Sequence, residues 1–216
     1  MIDPEREELL SNVRAALGRM ADSVVLPIPP TARVAPRVPG ETEAELSLLF
    51  AEIEKLTGKT KRIEKAKDLK AALQELVETE SIKKATLWQT SDLKKRRIAG
   101  TLKSLGVEIV SPYASNREVA ECDLGVTGAD GALPETGTLV LRSSVEKPRT
   151  VSLLPRVHLA IISPQILRAD LHQVFDELKH DHYFVFVTGP SRTADIELTV
   201  TVGVHGPKAL YVWAFE

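Results

Sequence analysis

The stretch Ala85–Val110, ATLWQTSDLKKRRIAGTLKSLGVEIV, decides the fold. Ala85–Trp88 is a short apolar run of strand length. Ser91 stands where a helix cap belongs, Leu93, Ile98, Leu102 and Leu105 recur at helical spacing, and Gly106 ends the pattern. Val107–Val110 is strand-like again. A strand, a helix of about ten to fifteen residues and another strand make a βαβ unit, whose two strands pair in parallel. The basic run Lys94-Lys95-Arg96-Arg97 falls inside this helix, where a solvated face explains it better than a nucleic-acid patch.

Working back toward the N-terminus, Leu69, Ala72, Leu73, Leu76 and Val77 mark another amphipathic helix. Before it, Thr42-x-x-Glu45 reads as a capping box, followed by Leu46, Leu49, Phe50, Ile53 and Leu56 and closed by Gly58. Val24–Gly40 holds five of the chain's 13 prolines, which makes it an extended tether. Asp3-Pro4-Glu5 starts a first helix, with Leu9, Leu10, Val13, Ala16 and Leu17 on one face. The expected division is therefore 1–40, a helix and its Pro-rich tether, and 41–216, an α/β domain. The N-terminal helix must dock on this domain or on a partner.

After Glu121 the pattern changes. Asp123–Thr127, Thr138–Arg142, Thr150–Leu154 and His158–Ser163 read as four strands with short links, which favours an antiparallel or mixed portion. Ser163-Pro164 opens a helix with Leu167, Leu171, Val174, Phe175 and Leu178 inward. Tyr183–Thr188 and Ala209–Phe215 are apolar strands. Ile196–Val204 alternates like a strand, yet a crossover helix fits between its neighbours, and a short helix is the expectation.

The 216 residues suffice to bury roughly 70% of the unfolded surface, enough for one core and an appendage. A formal net charge of −2 gives no electrostatic case for nucleic acid or an anionic membrane. Cys122 is the only cysteine, so the chain forms no internal disulfide, fits a reducing compartment, and cannot hold a four-thiolate iron–sulfur cluster alone. Met1–Met20 is too charged for a secretory signal, and no window approaches 18 apolar residues. A cytoplasmic protein without a membrane span is expected.

Two loops gather the candidate site. In Thr127–Thr138 (TGADGALPETGT), glycines and threonines surround Glu135. One reading is a ligand cradle of Thr127, Gly128, Thr136, Gly137 and Thr138, with Glu135 as base or nucleophile; the other is a pair of tight turns. In Gly189–Glu197, the residues Gly189, Ser191, Arg192, Thr193 and Asp195 suit an anion, with Arg192 as a bidentate clamp. Alternatively Ser191 or Thr193 caps the next element and Arg192 pairs with Asp195 or Glu197. His205, between Gly203 and Gly206, is a proton shuttle or an ordinary loop histidine. Ser143, Ser144 and Ser152 lack the partners of a serine hydrolase. His180 and His182, around Asp181, read as surface histidines, and no metal site is expected.

Four motifs in order, Glu135-Thr136-Gly137-Thr138-Leu139, Ser152-Leu153-Leu154-Pro155 with His158, Gly189–Glu197 and Gly203-Val204-His205-Gly206-Pro207, resemble the lactate-utilisation family that carries the LUD domain, in its protein C branch. Pro134 departs from the expected Ala and stiffens its loop. The resemblance covers about Thr42–Phe215. It implies a three-layer α/β fold around a mixed sheet, similar to ribose-5-phosphate isomerase and CoA transferases. It also implies an accessory subunit of an iron–sulfur system oxidising L-lactate to pyruvate, with the clusters on cysteine-rich partner chains and a small anionic ligand between the two loops. Two other readings stand beside it: an isomerase or CoA-transferase-type enzyme using Glu135, and a ligand-sensing module docking through its N-terminal helix.

Overall fold

The computed structural model describes residues 4–18, 35–179, 183–194, 200–203 and 205–215. The chain divides into two units, Met1–Ala35 and Pro36–Glu216. In the first, α1 spans Pro4–Ala16, with proline at the first helical position and Glu5 and Glu7 in the first turn, where the helix dipole favours acid. It buries no residue, and Leu9, Val13 and Leu17 stay exposed. Most of the Pro-rich tether, residues 24–34, lies outside the described residues.

The second unit begins with α2 (Thr42–Lys55), β1 (Lys59–Ile63), α3 (Ala66–Thr79), β2 (Lys84–Leu87), α4 (Ser91–Lys95), α5 (Ile98–Ser104), β3 (Glu108–Val110), α6 (Asn116–Ala120) and β4 (Leu124–Thr127). It continues with β5 (Gly131–Leu133), β6 (Thr138–Arg142), α7 (Thr150–Leu153), β7 (Val157–Ile162), α8 (Leu171–Leu178), β8 (Phe184–Val187), β9 (Arg192–Ala194), β10 (Val200–Val202) and β11 (Ala209–Phe215).

Six strands form a parallel sheet in the order β1-β11-β7-β4-β2-β3. Its inner strands are apolar apart from Thr127 in β4 and His158 in β7: every residue of β4 and β7 is buried, as is the middle of β11. Steps from β1 to β2 and from β2 to β3 run one way across the sheet, and later steps run back. Right-handed crossovers therefore place α3–α5 on one face and α6–α7 on the other. The packing of α3 on α5 and of α6 on α7 agrees, giving helix, sheet and helix layers. The chain reverses direction across β2, so a crevice opens at the carboxyl ends of β2 and β4. Three strands, β5-β6-β8, make a separate antiparallel sheet, and β9 pairs antiparallel with β10.

Several elements differ from the sequence reading. Thr150–Leu153 is helix α7, not a strand. Its β-branched start suggests extended chain, but packing on β4 overrides that preference. Gly125 of β4 is the reason: a Cβ there would sit 1.9 Å from the Val151 carbonyl oxygen. The four strands also part company, with β4 and β7 parallel neighbours in the main sheet and β6 in the small one. The helix foreseen from Ser163 is a 3-10 turn, Pro164–Ile166, then extended chain. Helix α8 starts only at Leu171, where the Asp170 carboxylate accepts from the Gln173 N–H at 3.0 Å. Val174 and Leu178 are buried, but Leu171 and Phe175 are exposed.

The helix over Ser91–Leu105 is broken at Arg97, which takes a left-handed conformation (φ 54°) between α4 and α5. No capping box forms at Thr42, because Glu45 is engaged upstream instead. Of the expected short helix Ile196–Val204, Val200–Val202 is strand β10; residues 195–199 and 204 lie outside the described residues. Strand β1 escapes sequence reading because KTKRI carries three cations, as an edge strand with one neighbour permits.

The Gly125 contact sets a stability test. Gly125→Ala forces α7 off β4 and costs at least about 2 kcal/mol in urea unfolding. Gly100→Ala, inside α5 with nothing within 4 Å of the new Cβ, gains up to about 1 kcal/mol in the same measurement.

Candidate functional site

Three of the four motifs meet at one cavity. It measures about 170 Å³, and its polar wall comprises Ser152, His158, Thr188, Ser191 and His205. Each arrives from a different element: Ser152 from α7, His158 from β7, Thr188 from the end of β8, Ser191 and His205 from the two loops flanking β9 and β10. The loops are tied by backbone. The Ser191 N–H donates to the Pro207 carbonyl at 2.9 Å, and the Gly203 N–H to the Ser191 carbonyl at 2.8 Å. Gly206 lies so close that a Cβ would stand 3.1 Å from Ser191 Cβ. Gly189 (φ +86°) turns the chain against Leu56, with no side chain to intervene.

His158 is the most buried residue of this polar wall. It is 1% exposed, and its Nε2 lies 2.8 Å from Thr127 Oγ1, while Nδ1 has no hydrogen-bond partner among the described residues. Burial pushes its ionisation down to about 4, so the ring is neutral at pH 7. Ser152 Oγ donates to the Arg149 carbonyl at 3.0 Å, which leaves its oxygen free to accept from a ligand.

The first loop is distributed over several places. Thr136, Thr138 and Thr188 form a ladder of hydroxyls at 2.7 and 2.8 Å, and Thr188 reaches the cavity. Gly137 (φ +63°) presses on α2, where a Cβ would meet the Ile53 nitrogen at 2.8 Å. Thr127 lies behind His158. Glu135 is 56% exposed and outside the cavity lining, with its carboxylate 2.8 Å from Arg37 Nε. Arg37 also binds both Glu45 oxygens at 2.8 Å and donates its backbone N–H to Asp170 at 2.8 Å. Ion pairing with Arg37, the larger effect, and the Gly40 N–H hold the Glu45 carboxyl below its ordinary range against the cost of burial. Arg192 turns to the Leu56 carbonyl and the Thr57 hydroxyl at the end of α2. Thr193 belongs to β9; Asp195, His180, Asp181 and His182 lie outside the described residues.

Gly128 lines a different space, the crevice at the carboxyl edge of the sheet, about 580 Å³. Its two cations are each matched to a carboxylate. Arg96 pairs with Asp92 at 3.0 Å and stacks 3.9 Å over Phe215, and Lys147 pairs with Asp130. The smaller cavity, lined by His158, whose Nδ1 is buried without a hydrogen-bond partner among the described residues, is the better-defined candidate site. The two loops do not close on a single pocket. Ser152, His158 and Thr188 are the wall residues that sequence reasoning passed over as candidates, although a lone histidine inside the apolar run Val157–Ile162 marks His158.

Cys122 is buried, and burial pushes its thiol up to about 11, which makes it unreactive. Among the described residues no group of three or more His, Cys, Asp or Glu side chains is placed to hold a metal ion. No helix among them is long and apolar enough to cross a membrane.

Comparison with known proteins places this geometry. The LUD domain family model matches residues 46–213. Lactate utilization protein C of Shouchella clausii is 34% identical over 155 residues, 67% of this chain and 68% of that protein. The protein of the same name from Halalkalibacterium halodurans is 34% identical over 156 residues, with the same coverage. A solved DUF162 family protein from Deinococcus radiodurans shares the fold, with a TM-score of 0.61 at 17% identity over 82% of this chain and all of that one.

Two measurements probe this region. Above pH 6.5 the buried neutral His158 costs nothing extra; between 6.5 and 4 the unfolded chain takes up a proton that the folded ring refuses, so stability falls as pH falls. His158→Gln narrows the loss between pH 7 and pH 4 by roughly 3 kcal/mol, read from urea midpoints. Arg37→Ala strands the Glu45 carboxylate, whose side chain is 8% exposed, and lowers unfolding stability by about 2 kcal/mol at pH 7.

Proposed function

The chain belongs to the LUD domain family, and from that premise we propose that it serves lactate utilisation by binding a small carboxylic acid in the cavity of Ser152, His158, Ser191 and His205. The observation that carries this reading is the convergence of three sequence-distant motifs on one cavity sized for a molecule of a few heavy atoms. Hydroxyls, loop amides and imidazoles suit an acid's oxygens, and the relatives' names supply the substrate class.

In this reading the protein is an accessory subunit acting in the cytoplasm. Its single cysteine leaves cluster chemistry to cysteine-rich iron–sulfur partner chains that oxidise L-lactate to pyruvate. Glu135, held by Arg37 away from the cavity, takes no part.

Calorimetric titration of the full chain with L-lactate and with pyruvate tests the proposal. Saturable binding of at least one acid is expected, weakened about tenfold by Ser191→Ala as one hydrogen bond is lost. Absence of binding to both acids, or a Ser191→Ala variant that binds like the parent, overturns it. A strain lacking the gene is expected to lose growth on L-lactate as sole carbon source.

A further inference from the structure

The small sheet β5-β6-β8 has two edges, and among the described residues only one is covered. At β5 the Arg168 N–H donates to the Ala132 carbonyl at 2.8 Å, so the chain beside it closes that side. At the other edge β8 pairs with β6 alone. The Ser143 N–H donates to the Tyr183 carbonyl at 3.0 Å, so Tyr183 turns its backbone toward β6, and by alternation Val185 and Val187 do the same. The N–H and C=O groups of Phe184 and Phe186 therefore point away from β6, with no backbone partner among the described residues.

An open edge is a template for a further strand, and monomeric proteins guard it with charge, proline or a bulge. Strand β1 is guarded in this way by Lys59, Lys61 and Arg62. Strand β8 is not: Tyr183–Gly189 reads YFVFVTG, without a charge or a proline. An apolar patch adjoins this edge. Phe184 and Phe186 turn to the same side as Phe175 of α8, and the three rings meet edge to face at centroid distances of 5.4 to 6.3 Å. Leu171, Phe175, Tyr183 and Phe186 are each between 36% and 50% exposed.

We propose that β8 pairs antiparallel with the same strand of a second copy of this chain, with Val185 on the twofold axis and Phe184 opposite the partner's Phe186. An antiparallel strand is its own complement: each Phe184–Phe186 pair exchanges both of its N–H···O bonds, and the two ring clusters come together on one face. None of the residues in the patch is charged, so two identical patches meet without like-charge repulsion. The four exposed side chains present roughly 350 Å² per copy, and paired backbone and rim bring the total for two copies to about 1,000 Å², where specific association begins. This pairing is independent of what the cavity binds.

Sedimentation equilibrium of the full chain from about 1 to about 200 µM is expected to show a reversible dimer, with a dissociation constant on the order of 10 µM. A chain that stays monomeric throughout overturns the proposal and leaves the edge to a strand of another protein. Phe186→Lys puts a cation on the edge, and Phe175→Lys puts one in the adjoining patch. Each is expected to weaken the dimer at least tenfold, with circular dichroism and urea midpoints confirming a folded chain. Phe175 is half exposed on α8, so its variant carries the test if Phe186→Lys fails to fold. A dimer unchanged in either folded variant overturns the proposal. Hydrogen exchange reads the register: the Val185 and Val187 amides, turned to β6, are expected to be protected at every concentration, and those of Phe184 and Phe186 only in the dimer. Exchange at Phe184 and Phe186 that does not slow on dimerisation overturns the strand pairing, whatever else holds two copies together.

Discussion

Burial of β4, β7 and β11 between two layers is the constraint on which the rest of the structure depends. A parallel sheet covered on both faces leaves no water for a polar side chain, so any that occurs there must find its partner inside the fold. Thr127 and His158 are such a pair, on adjacent strands and 2.8 Å apart. One ring nitrogen is satisfied within the sheet, and the other is buried with no hydrogen-bond partner among the described residues. Desolvation dominates at this ring, which is why it stays neutral at pH 7.

The same layering explains where the loops go. The chain from β4 to β7 makes its crossover through β5, β6 and α7 instead of one long helix, and α7 seats directly on Gly125. That seat brings Ser152 beside His158. On the far side of β6, Gly137 and Gly189 press against α2, and Arg192 ties the second loop to the end of that helix. Arg37 joins Glu45, Glu135 and Asp170 at the start of α2. Cationic side chains that look available for an anion are therefore engaged in holding α2, where a partly buried carboxylate makes their loss costly. The polar groups left on the smaller cavity are hydroxyls and imidazoles.

Much of this was legible from residues alone. Periodic apolar positions locate α2, α3 and α5, and apolar runs locate β2, β4, β7 and β11. Where the pattern misled, a distant partner decided the matter. Thr150–Leu153 becomes helical because β4 offers a glycine under it, and Glu45 abandons a capping box because Arg37 lies across from it. Strand β1 is hidden because its exposed edge tolerates lysine and arginine. Glu135 suited a base or nucleophile and Arg192 an anion clamp by type and loop context, but whether a side chain faces a cavity or a neighbouring helix is not a local property.

By itself the sequence determined the α/β class, the parallel βαβ core, the family and the segments from which a site would be built, since each is encoded in short-range spacing and in which residue types sit together. Only the tertiary structure decided that the two Gly-rich loops serve different places, that Glu135 is an ion-pair partner of Arg37, and that His158, bonded to Thr127, lines the smaller cavity. The physical reason is that burial and hydrogen-bond satisfaction are set by contacts between residues tens of positions apart, which no local pattern carries.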